Sequence, residues 1–197
     1  MSTTITPMGL VLVGVAILAL LALAAWFFYR KKQSQRLQQR FGPEYARTVS
    51  NLGSHAKAES DLKAREKRVE RLNILPLAPT DAARFREAWT ALQGSFVDNP
   101  KGAIIEAEKL VRDLMSQRGY PVGDFERRAA DISVDHPGVV DHYRAAQEIA
   151  VRNHRGEADT EALRKAVVHY RALFDELLEV ENGEKQSVQR AKLAAQL

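Results

Sequence analysis

Residues 8–29 form a run of 22 residues without a charged side chain, dominated by Leu, Ala and Val. As a helix such a run is about 33 Å long, enough to cross a hydrocarbon core of roughly 30 Å. Buried core helices rarely run so far without a polar residue, so the segment predicts a single transmembrane helix. The run ends in Trp26, Phe27, Phe28 and Tyr29, and Arg30, Lys31 and Lys32 follow at once. Aromatic rings followed by cations is the order found at a membrane–water boundary. A cleaved signal peptide, processed at Ala22-Leu23-Ala24, is the competing reading. It requires a basic leader and a shorter apolar stretch, whereas residues 1–7 hold no Lys or Arg and the run continues past Ala24. The positive-inside rule places the N-terminus outside and residues 30–197 in the cytoplasm. An extracytoplasmic domain is the alternative.

The charge balance sharpens this orientation. The chain of 197 residues carries 29 Lys+Arg against 25 Asp+Glu, a net charge of +4. Residues 30–40 alone contribute +5, through Arg30, Lys31, Lys32, Arg36 and Arg40, so the rest of the chain sums to −1. Residues 54–72 are +2, and residues 73–180 are −4, with 14 basic and 18 acidic side chains. A nucleic-acid binder needs its basic face on the folded module, and the folded module here is mildly acidic. No nucleic-acid partner is expected. The basic stub instead serves as a stop-transfer and orientation signal, and each Lys or Arg near anionic headgroups contributes roughly 1 kcal/mol.

Beyond the stub every segment reads as helix. Phe41-Gly42-Pro43 breaks the first helix, and Pro43 starts a short one with Tyr45, Val49 and Leu52 on one face and Gly53 as its stop. Residues 54–72 form a charged helix with Ser54 as its N-cap. Ala58, Leu62, Val69 and Leu72 follow coiled-coil seam spacing, but His55 and Arg65 occupy the other seam positions. A helix docked on its own domain is favoured over a short dimeric coiled coil. Pro76 and Pro79 make residues 73–79 a linker. Thr80 then caps a helix with Phe85, Trp89, Leu92 and Phe96 on one face. Asn99-Pro100 starts the next, with Ile104, Ala107, Leu110, Val111 and Leu114 inward and Gly119 as its stop. Asp124 caps a helix carrying Phe125, Ala129 and Ile132. Asp135-His136-Pro137 opens another, with Val139, Val140, Tyr143, Ala146 and Ala150. Gly156 closes the following connection, and Thr160 opens a last helix with Leu163, Val167, Tyr170, Phe174 and Leu177.

The expectation is an all-α chain: a single N-terminal transmembrane helix, a charged helix and a compact helical bundle. Its parts are an N-terminus and membrane helix (1–29), a basic juxtamembrane stub (30–42), charged membrane-proximal helices with a Pro linker (43–79), the bundle (80–180) and a polar tail (181–197).

Much chemistry is excluded by residue type. The absence of Cys removes disulfides, thiolate metal sites and a thiol nucleophile. No two Gly stand closer than Gly119 and Gly123, so Gly-rich phosphate loops are absent, and there is no Gly-x-Ser-x-Gly elbow. None of His55, His136, His142, His154 and His169 precedes a Glu or follows one by three residues, which removes HExxH and the Glu-x-x-His pairs of di-iron bundles. One constellation remains, the Asp-His pairs Asp135-His136 and Asp141-His142. Paired carboxylates can orient imidazoles for a metal or for acid–base work, with His169 as a third converging group. The simpler reading makes Asp135 or His136 the cap of a helix with Pro137 at its first position, and puts Asp141 in the first turn, where the helix dipole favours it. Arg118-Gly119-Tyr120-Pro121-Val122-Gly123-Asp124-Phe125 is a turn whose aromatics pack inward, with a peptide-binding ledge as its functional alternative.

The stretches Phe41-Gly42-Pro43-Glu44-Tyr45, Ser95-Phe96-Val97-Asp98-Asn99-Pro100, Arg118-Gly119-Tyr120-Pro121-Val122-Gly123-Asp124-Phe125-Glu126, Ile132-Ser133-Val134-Asp135-His136-Pro137 and His169-Tyr170-Arg171-Ala172-Leu173-Phe174 together resemble a family of bacterial proteins. Its members are usually labelled hypothetical or secreted, with an N-terminal membrane segment and a helical domain. The resemblance covers about residues 41–178 and implies a bacterial membrane and one folded unit, but no activity, catalytic residue or cofactor. The expected role is therefore a membrane-anchored interaction or scaffold domain, with the bilayer and another protein, or a second copy, as partners. A metal-binding or acid–base enzyme built on the Asp-His pairs is the alternative.

Overall fold

The computed structural model describes residues 7–178, with side chains described from residue 16 onward. Among the described residues there are eight α-helices and no strand: α1 (Pro7–Phe41), α2 (Pro43–Leu52), α3 (His55–Val69), α4 (Pro79–Ser95), α5 (Pro100–Gln117), α6 (Phe125–Asp135), α7 (Val140–His154) and α8 (Thr160–Leu177). The all-α expectation holds. The polar tail expected over 181–197 lies outside the described residues.

α1 does not stop where its apolar run stops. It is one helix of 35 residues that carries the expected juxtamembrane stub as its last three turns. Apart from Ser34, positions 30–40 hold only Arg, Lys, Gln and Leu, all good helix formers, so nothing local ends it before Gly42. Gly42 then takes a φ of 50°, a left-handed conformation open to glycine, and Pro43 starts α2 at its first position. Leu37 and Phe41, one turn apart, are fully buried. They pack with Tyr45, Leu62, Val69 and Val134 in the smaller of two hydrophobic clusters. Among the described residues no helix is long and apolar enough to cross a membrane. Of the uncharged run, residues 8–15 lie before those whose side chains are described.

α2 and α3 fold back beside the end of α1. α2 buries Tyr45 and partly buries Val49, as expected, but Leu52 is exposed, and Glu44 and Thr48 are buried in addition. Ser54 occupies the N-cap of α3, but its side chain makes no capping hydrogen bond. α3 turns Ala58, Leu62, Glu66 and Val69 inward, against α1, α2 and α6. The seam residues are thus spent within the chain, as expected of a helix docked on its own domain.

The larger core lies among α4 to α8, with α8 against both α5 and α7. Trp89 stacks on Phe174 at a centroid distance of 4.5 Å. Local signals set most boundaries. Asn99, Asp124 and Asp159 accept hydrogen bonds from the backbone N–H groups of Gly102, Arg127 and Ala162 at 3.0, 2.9 and 2.7 Å. One expected cap moves. Pro79 starts α4 with Ala78 at its N-cap, so Thr80 sits inside the first turn, whereas Thr160 opens α8 as expected, with Asp159 as its cap.

The segment between the two cores joins them. Leu72 and Ile74 pack against both clusters, and Leu77 is buried in the larger. The Leu75 N–H donates to the Arg118 carbonyl at 2.9 Å. Gly119, with a φ of 94°, makes this approach possible, because a Cβ there would overlap the carbonyl oxygen of Asn73.

Candidate functional site

The Asp-His stretch does not open α7. The His136 N–H donates to the Ile132 carbonyl at 2.8 Å, so the ladder of α6 runs through Asp135 and leaves His136 as its C-cap. Pro137, which has no N–H to donate, ends that ladder. α7 begins at Val140 with Val139 at its N-cap and no side-chain capping bond. The expected capping by Asp135 or His136, with Pro137 as the first helical residue, is therefore corrected. Asp141 does lie in the first turn of α7.

The five candidate residues go separate ways, with one exception. Asp135 Oδ2 accepts a hydrogen bond from the Tyr120 hydroxyl at 3.0 Å. Burial, and then the Asp135 carboxylate, push the Tyr120 hydroxyl pKa well above the usual tyrosine range. His136 Nδ1 lies 3.1 Å from Glu176 Oε1 near the end of α8. Asp141 is exposed on the surface. The exception is His142, whose Nδ1 lies 2.8 Å from Nδ1 of His169, joining α7 to α8. For these nitrogens to share a proton, one ring donates and the other accepts, so they cannot both be protonated without breaking the bond. Partial burial, and then the neighbouring His142, lower the His169 pKa. Among the described residues no group of three or more His, Asp or Glu is placed to hold a metal ion.

A second set of charges was not foreseen from the sequence. Glu44 of α2 is 2% exposed, and its Oε1 accepts from both Arg65 Nη1 of α3 at 2.9 Å and Arg144 Nη2 of α7 at 3.0 Å. Asp61 and Glu126 complete the pairing from the solvent side, at 2.8 Å from Arg65 and 2.7 Å from Arg144. Burial alone opposes the Arg144 charge, but the Glu126 and Glu44 carboxylates more than offset it and hold the pKa above the ordinary arginine value. Buried Asp131 on α6 accepts from Arg68 of α3 at 2.7 Å. Buried Glu66 pairs with Arg36 and Arg40 of α1 at 2.6 and 3.0 Å. These pairs tie α1, α2 and α3 to one another and to α6 and α7. Only Arg65 left a trace in the sequence, as a polar residue at a seam position.

The residues expected to flank a membrane form the third feature. Trp26, Phe27, Phe28 and Tyr29 are all more than half exposed, and the Arg30 guanidinium lies over the Trp26 ring at 4.9 Å. Arg30, Lys31 and Lys32 are also exposed, unlike Arg40, which is half-buried at its pair with Glu66. No family model, no curated protein and no solved structure matches this chain. The functional reading therefore rests on the site itself.

Two outcomes follow. Glu44→Gln leaves the largely buried Arg65 and Arg144 without their shared anion and lowers unfolding free energy by about 3 kcal/mol in urea titrations, whereas Asp61→Asn, on the exposed rim, costs less than about 1 kcal/mol. Equal effects would remove Glu44 from the centre of the network. The His169 folded-state pKa lies below the unfolded value of 6.5, so its stabilising contribution is whole above about pH 6.5. That contribution is lost as pH falls through the lowered value, because the unfolded chain takes up its proton first. In NMR titrations His169 moves back toward 6.5 on His142→Ala; an unmoved midpoint would show that the second ring has no influence.

Proposed function

We propose that this chain is a single-pass membrane protein whose first helix anchors a cytoplasmic helical interaction domain. One observation carries the reading: the two parts of α1 have opposite surroundings. Leu37 and Phe41 are fully buried in the domain, whereas Leu18, Leu20, Leu21, Leu23, Phe27 and Phe28 are each 60–67% exposed. These large apolar side chains point around the whole helix rather than along one stripe, a distribution that suits hydrocarbon and not a protein groove or water. The described apolar residues 16–29 span about 21 Å, short of a membrane, and residues 8–15 bring the uncharged run to about 33 Å. The aromatic residues at 26–29 and the cations at 30–32 fit the far boundary.

For the domain, a helical interaction role is favoured by a groove of about 440 Å³ between α4 and α5. Ala88, Ala91, Leu92 and Leu110 line it, with Glu106 and Asp113 among its polar groups. The small side chains of Ala88 and Ala91 admit close approach by another helix, and Leu92 and Leu110 offer it apolar contact. The paired imidazoles of His142 and His169 have no third converging metal ligand among the described residues.

The natural chain has no Cys, so single cysteines report topology without background. Thr3→Cys is expected to react with an impermeant maleimide in intact cells, and Val97→Cys, at a position 82% exposed, only after permeabilisation. The reverse pattern would place the domain outside, and release by alkaline carbonate would remove the anchor altogether. For the interaction role, a partner recovered in stoichiometric amount with the full chain in mild detergent is expected to be lost from Ala91→Arg. Recovery of the wild-type chain alone, at monomer mass, counts against an adaptor.

A further inference from the structure

α1 and the first turns of α3 enclose a groove of about 550 Å³ beside the aromatic flank. Its lining changes character along α1. Trp26 and Phe27 stand at one end, Arg30 and Lys31 come next, and Ser34, Gln35 and Gln38 follow. His55, Ala56 and Glu59 of α3 form the opposite wall. The polar wall is organised from behind by one hydroxyl. Tyr45 Oη lies 3.3 Å from Ser34 Oγ and 3.2 Å from His55 Nδ1, and donates to Glu59 Oε1 at 3.2 Å. Arg30 is likewise held in place, over the Trp26 ring.

The order of these groups has a counterpart in one kind of molecule. A glycerophospholipid presents, from the hydrocarbon outward, acyl chains, a phosphodiester and a polar headgroup. From Trp26 to Ser34 is eight residues, about 12 Å of helix, and the headgroup layer is about 5–8 Å deep on each side of a bilayer. With Tyr29 at the hydrocarbon edge, Arg30, Lys31 and Ser34 therefore fall at headgroup depth. We propose that this groove binds an anionic glycerophospholipid with a hydroxylated headgroup, of the phosphatidylglycerol type. Arg30 and Lys31 take the phosphodiester, and Glu59, His55 and Ser34 hydrogen-bond the headgroup hydroxyls. This inference rests on the membrane reading above and adds to it a lipid class and a site.

The test uses the full chain in mild detergent, offered equimolar phosphatidylglycerol and phosphatidylcholine, with bound lipid counted by native mass spectrometry. Wild type is expected to retain the anionic lipid at least about fivefold over the zwitterionic one, the scale set by one surface cation. Ala56→Trp fills the groove without changing charge, at an exposed position, and is expected to erase the preference. Arg30→Gln with Lys31→Gln does the same by removing the phosphodiester partners. Lys32→Gln leaves the preference intact, since Lys32 lines a separate hollow with Tyr29 and Arg36. Equal retention of the two lipids by wild type overturns the proposal. So does a preference that survives Ala56→Trp, which would be attraction to bulk surface charge. Displacement by millimolar glycerol 3-phosphate would assign the groove to a soluble phosphate and also overturns it. A chain that resists carbonate extraction yet shows no lipid preference fails on this point alone, whereas one released by carbonate loses the anchor and this site together.

Discussion

Leu37 and Phe41 lie one helical turn apart and bury completely against Tyr45, Leu62, Val69 and Val134. That contact makes the end of α1 a structural member of the domain. Without it, residues 30–41 would be a solvated basic tether, free to let the domain swing. With it, the apolar helix and the folded domain are continuous, and Gly42 and Pro43 turn the chain back only after the contact has been made. The rest of the smaller cluster is built around this docking: α3 lies along α1, and α2 fills the corner between them.

Ion pairs then fix how that layer sits on the bundle. Glu44 meets Arg65 and Arg144, Glu66 meets Arg36 and Arg40, and Asp131 meets Arg68. Replacing such pairs with well-packed apolar groups often preserves or even raises stability, so their main consequence here is orientation. An apolar interface tolerates sliding by a fraction of a turn. A carboxylate shared by two guanidinium groups from different helices does not. The larger core, with Trp89 on Phe174, supplies cohesion, and the charged layer supplies alignment.

The helix inventory was legible in the sequence because its signals are local. Asn99 before Pro100, Asp124 before Phe125 and Gly53 after Leu52 each act within a turn of the boundary they set. The misreading at Asp135-His136-Pro137 has a local cause too. A polar pair before proline resembles a helix start, but α6 already had a continuing ladder and the proline only stopped it. The buried charges were out of reach, since Glu44 finds partners 21 and 100 residues away and nothing near Pro43 marks it as a core residue. Of the Asp-His set, sequence reasoning named His142 and His169, which do meet. It could not know that Tyr120 and Glu176 would draw Asp135 and His136 elsewhere.

The unbroken course of α1 through Tyr29 to Phe41 has a consequence for direction. A straight α-helix turns about 100° and rises about 1.5 Å with each residue. The domain therefore has a fixed bearing about the axis of α1 as well as a fixed height along it. Adding or deleting one residue between Tyr29 and Leu37 would swing every face of the domain, the α4–α5 groove included, by more than a quarter of a circle. The helix works as a keyed shaft: what it holds can be presented to a neighbour from one compass point and not from another.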